Sequence, residues 1–162
     1  MDSQVLGPYV ISHIVAVMYV FVAWRWPRFA RWIAGAGFIL AGVFNIWTVS
    51  TSPEAYVEGF GQYAFPPYRR FIYGAFARHT VAFVLAIAGG QIAAGALAFA
   101  PLPWRRLGYL GAIVFLLAIT PLGIGSAAPS TLIFAAGLIL LCRERQATTP
   151  SHGRGSSPAR PR

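Results

Sequence analysis

The run LGYLGAIVFLLAITPLGIGSAAPSTLIFAAGLILLC, Leu107 to Cys142, holds 36 residues and no charge. As one helix it would extend about 54 Å, nearly twice a hydrocarbon core about 30 Å thick. It must bend back or project. Pro121, Gly123, Gly125 and Pro129 fall at its middle. A proline removes a helical donor and clashes with the turn before it, so the run divides into helices over about 107–120 and 129–142.

The rest of the chain has the same character. Of 162 residues, 57% are hydrophobic and 10% charged, and the mean hydropathy is +0.60. A soluble domain carries about a quarter of its residues charged, so the bilayer is the solvent here. Three further spans precede the divided run, from about Pro8 to Trp24, Phe29 to Ser50 and His79 to Ala100. The N-terminus, MDSQVLGPYV, has an acid where a signal peptide is basic, and reads as the start of a retained first span. The expected fold is all-α: a polytopic transmembrane helical bundle of five spans, or four if the last run crosses once. Residues 1–145 form the bundle, and 146–162, QATTPSHGRGSSPARPR, read as a disordered polar tail.

All thirteen basic residues are arginine. They cluster beside hydrophobic runs, as in WRWPRFARW and PLPWRRLG, a pattern that fixes membrane orientation rather than nucleic-acid binding. With five spans and the N-terminus outside, ten arginines fall on the cytoplasmic side and three in the long connection. A single crossing of the last run reverses the choice and leaves eight against five. The expected placement is therefore a bacterial inner membrane, multi-pass, with the N-terminus outside and the C-terminus cytoplasmic.

Small residues mark helix contacts. Gly35, Gly37, Ala41 and Gly42 give span two a small surface, and Ala82, Ala86, Gly90, Ala94 and Ala98 form an i+4 ridge on span three that predicts helix packing. Between these spans lies the one long connection, Thr51 to Arg78, with eight aromatics between Tyr56 and Phe76. Ser52-Pro53-Glu54 reads as a helix start, with Ser52 as cap, and Gly59 or Gly61 as its stop. After Pro66-Pro67, Tyr68, Phe71, Ile72, Ala75 and Phe76 recur at helical spacing, which predicts an amphipathic segment on the membrane surface.

Polar side chains within spans are functional candidates. Serines aside, these are His13, Asn45, Thr48, His79, Thr80, Gln91 and Thr120. His13, Asn45 and His79 lie toward the outer face beneath the aromatic connection and form the candidate cofactor site. Two histidines at similar depth are the residue types that ligate a haem or metal, or relay protons to a quinone. The same pair also fits interfacial histidines bonded to backbone or water. Gln91 reads as an interhelical hydrogen bond, and Arg69 and Arg70 as solvated or headgroup-facing. One cysteine excludes an internal disulfide or a Cys-rich metal site, and no nucleotide-binding glycine motif or catalytic triad is present.

The helix pairs, the small size and the closing pattern FLLAITPLGIGSAAPSTLIFAAGLILL, Phe115 to Leu141, resemble the DoxX-like small integral membrane proteins over about the last two thirds of the chain. The resemblance implies a four-helix membrane bundle. Some members are linked to quinone-dependent sulfur oxidation, and no catalytic residue carries over to a position here. Two functions follow as expectations. One is an accessory or assembly subunit whose partners are the bilayer and a membrane protein or a second copy, with no nucleic acid. The other is a redox protein handling a quinone or haem. A transporter is disfavoured because no acid lies within the spans to couple ions.

Overall fold

The structure, a computed structural model, describes residues 3–143. The expected polar tail lies outside the described residues. Among the described residues seven α-helices follow one another: α1 (Ser3–Arg25), α2 (Pro27–Thr51), α3 (Glu54–Gly61), α4 (Pro66–Phe71), α5 (Thr80–Leu97), α6 (Trp104–Ile119) and α7 (Ser130–Arg143). A π turn, Ile72–Phe76, continues α4, and a 3-10 stretch, Thr120–Ser126, continues α6. No strand occurs among the described residues.

Among the described residues four helices, α1, α2, α5 and α6, are long and apolar enough to cross a membrane, and α7 is a shorter apolar helix. Fourteen residues make α7 about 21 Å long. The long apolar run therefore divides where the prolines and glycines fall. The two halves lie side by side, joined where Thr120 Oγ1 and Thr131 Oγ1 share a 2.9 Å hydrogen bond.

Five helices close a ring: α1 packs on α2, α2 on α5, α5 on α6, α6 on α7, and α7 back on α1. Large apolar side chains such as Met18, Leu40, Phe44, Trp47 and Val114 point outward. In water such a surface would aggregate; in a bilayer it meets lipid. Because lipid tails are as apolar as leucine, the helices gain their contacts through close backbone approach. The α2–α5 contact is the tightest. A Cβ on Gly95 would come within 2.6 Å of Gly35 O, and one on Gly42 within 2.8 Å of Ala88 O.

The expected small-residue ridge lies largely on another face of α5. Ala82, Ala86 and Gly90 are exposed, and only Ala94 and Ala98 turn inward. The face that α5 presents to α2 is built on Ala88, Gln91 and Gly95, all buried. The spacing of small residues in sequence was sound, but α5 carries two such stripes, and rotation about its axis decided which one meets α2. Gly37 likewise meets nothing, while Gly35 and Gly42 do.

The long connection is fastened rather than laid flat. Phe65 N donates to Pro121 O at 3.1 Å, tying the connection to the elbow between α6 and α7. At that elbow Gly123 has φ +68°, and a Cβ there would come within 2.5 Å of Tyr63 O. The helical spacing expected after Pro66 is present, but Ile72 and Phe76 are buried, so this segment is packed as a cap over the bundle. At α3 the expected Ser52 cap is absent: Pro53 holds the N-cap position without a side-chain bond, and the helix runs to Gly61.

Candidate functional site: a capped chamber with an amide floor

The α2–α5 approach sets the depth of two polar side chains. Asn45, one turn beyond Gly42, faces Gln91, one turn beyond Ala88. Asn45 Nδ2 donates to Gln91 Oε1 at 2.7 Å. From the cap, Tyr56 on α3 reaches down and donates its hydroxyl to Asn45 Oδ1 at 2.8 Å. The three side chains form one chain of hydrogen bonds from cap to interior.

Above this floor is a chamber of about 690 Å³, within the size range of small-ligand sites. Its walls carry several aromatic rings, among them Phe60, Tyr68, Phe71, Phe76 and Phe83 from the connection and α5, and Phe115 from α6. Gln91 is 6% exposed. Its Oε1 is engaged, while its amide nitrogen donates to no described residue. An amide held in an apolar interior without its hydrogen bonds costs free energy. The chamber therefore offers donor capacity at its floor and ring-stacking surfaces on its sides.

Burial raises the Tyr56 phenol above the usual tyrosine range, with the neighbouring Thr48 hydroxyl pulling the other way. Tyr56 thus stays a neutral donor at physiological pH.

The remaining sequence candidates lie elsewhere. His13 is not among the residues lining the chamber; its Nδ1 bonds Tyr9 O at 2.7 Å one turn back on α1. His79 is exposed at the N-cap of α5 and lines a separate surface hollow with Glu54 and Glu58. Of the expected trio only Asn45 reaches the chamber. Neither imidazole lines the chamber with Asn45. Among the described residues no group of three or more histidine, cysteine or acidic side chains could hold a metal. Thr80 is spent locally, its hydroxyl donating to Phe76 O at 3.0 Å across the π turn. Arg69 is exposed and donates to Gln62 O at 3.1 Å, bracing α4 against the end of α3.

In the sequence Tyr56 stands only as one of eight aromatics in the connection, and Gln91 as a bond between helices. Gln91 does make that bond, and what sequence spacing could not show is that its second polar atom faces a void. No family model, no curated protein and no solved structure matches the chain.

Proposed function

We propose that this chain is an integral protein of the bacterial inner membrane that binds a lipid-soluble molecule with a carbonyl-bearing ring, of the quinone class, in the capped chamber. The observation that carries the reading is Gln91, a buried residue that borders the chamber, whose Oε1 is taken by Asn45 and whose amide N–H groups are left to meet a ligand. A quinone oxygen accepts hydrogen bonds and cannot donate them, which matches a floor with spare N–H groups. Its flat ring matches the aromatic walls.

The site residues of this reading are Asn45, Gln91 and Tyr56. The amides fix the ring oxygen, and Tyr56 holds Asn45 in the orientation that points its own amide toward Gln91. The arginine distribution supports placing the chamber on the outer side. Arg25, Arg28, Arg31, Arg105, Arg106 and Arg143 gather at the end opposite the cap, which favours a cytoplasmic position for that end.

The test is binding of a short-chain benzoquinone to the purified protein in nanodiscs. Wild type should bind saturably. Gln91→Leu should weaken binding about tenfold, the loss of one to two buried hydrogen bonds, and His13→Ala should leave it unchanged. Absence of saturable binding by wild type would overturn the reading.

A second reading, an accessory or assembly subunit, is favoured by one observation: the outward face of α5 at Ala82, Ala86 and Gly90 is exposed and small, so another helix can approach it closely. Copurification in mild detergent, lost on Gly90→Leu, would support it. Survival of every partner in that variant would count against it.

A further inference from the structure

A second cavity, about 650 Å³, lies below the chamber toward the arginine-rich end of the bundle. Its back wall is Tyr19, Leu116, Phe134 and Leu138. Its front is the gap between α1 and α2, edged by Met18 and Phe29, which are 62% and 60% exposed. In a bilayer those side chains meet acyl chains, so the slot opens sideways into lipid.

Two residues belong to both cavities, Gln91 and Phe115. Phe115 stands edge-on to Phe38 of the slot wall, ring centroids 6.1 Å apart. The polar floor of the chamber is thus also the roof of an apolar slot. An aromatic side chain, which can turn about two torsions, separates the two.

We infer that the slot is the compartment for the aliphatic tail of the chamber's ligand, and that the gap between α1 and α2 is its lateral entrance from the membrane. The inference rests on the proposed ring-binding role of the chamber. A lipid-soluble molecule with a ring and a chain has its acceptor oxygens at one end and methylenes at the other. The two compartments repeat that division, with the Gln91 amide at their shared boundary. Entry from the bilayer spares the ligand any passage through water, and the chain can follow the ring past Phe115 without exposing Gln91 to lipid. Apart from Gln91 and Tyr19 the slot is lined by side chains without polar atoms, which suits it to methylenes.

The experiment uses a benzoquinone bearing a decyl chain that ends in a diazirine, photolysed with the full-length protein in nanodiscs and mapped by peptide mass spectrometry. Labels should fall on α1 between Val15 and Val22 and on α2 between Phe29 and Phe38. An excess of a chainless benzoquinone should remove them, because the tail is held there only when the ring is bound. In Gly37→Phe the new ring fills the slot without a backbone clash, since nothing lies within 4 Å of a Cβ at Gly37. That variant should lose the labels while keeping chainless-quinone binding within about twofold of wild type, the ring's hydrogen bonds being untouched. Met18→Trp, at the other edge of the mouth, should do the same should Gly37→Phe fail to elute as a folded species.

Labels confined to the cap helices α3 and α4, or slot labels that persist under the chainless competitor, would overturn the tail compartment while leaving the ring site standing. If the chainless compound itself does not bind, the ring site falls, and the tail assignment with it.

Discussion

Tyr56, Asn45 and Gln91 show how much a single polar contact can matter where water is absent. Each donor or acceptor left open in that interior costs about 1–3 kcal/mol. Tyr56→Phe removes the hydroxyl bonded to Asn45 Oδ1, so the variant should lose about 1 kcal/mol of stability in reversible unfolding. Its loss should be smaller in an Asn45→Leu background, where that acceptor is already gone. Tyr56 also makes a prediction about pH. Its phenol is raised in the folded protein, so its contribution is fully present below the unfolded tyrosine pKa of about 10. The contribution is lost only as pH rises through the higher folded value. An ultraviolet difference titration of wild type against Tyr56→Phe should place this one phenol above the bulk of the tyrosines. A Tyr56 titrating below them would contradict the buried hydrogen bond.

At the level of elements, glycine decides where helices touch. Gly95→Val would drive a side chain into Gly35 O and Ile39, and overpacking of this kind costs about 1–3 kcal/mol. The melting temperature in detergent should fall, and the Asn45–Gln91 register should slip with it. Gly90→Ala, on the stripe the sequence suggested, meets open space and should leave the melting temperature unchanged or slightly raised. The reverse result would restore Ala82, Ala86 and Gly90 as the packing face within the bundle. Gly123 is a different case, because its φ of +68° disfavours any side chain and Tyr63 O fills the space a Cβ would need. Gly123→Ala should therefore loosen the cap, seen as faster proteolysis between Glu58 and Arg78 with the spans intact.

For the whole molecule, the elements meet in an order that chain proximity does not give. The connection after α2 is bound to the elbow after α6, and α7 returns to α1 to complete the ring. A reporter fused after Cys142 should signal from the cytoplasm if α7 crosses the membrane. A periplasmic signal there would overturn the arrangement of five crossings with the N-terminus outside. Because the 14 residues of α7 are short for a span, a second reporter within the Thr51–Arg78 connection tests the fifth crossing: it should signal from the periplasm, and a cytoplasmic signal would mean four spans with the N-terminus inside.

Composition and proline placement were enough to determine that this is an all-α membrane bundle, and where each long helix starts and stops within a few residues. Hydrophobic length and backbone chemistry are local, and local properties can be read along a chain. Asn45 could be singled out for the same reason, since an amide within a span is conspicuous by itself. The chamber was a different matter. It depends on how far α5 is rotated against α2, on Tyr56 descending from a cap pinned at Pro121, and on Gln91 turning one polar atom to a partner and the other to a void. His13 and His79, alike in sequence terms, were separated by the same rotations. Those are relations between surfaces distant along the chain, fixed only when the glycine contacts close and the ring of helices is complete.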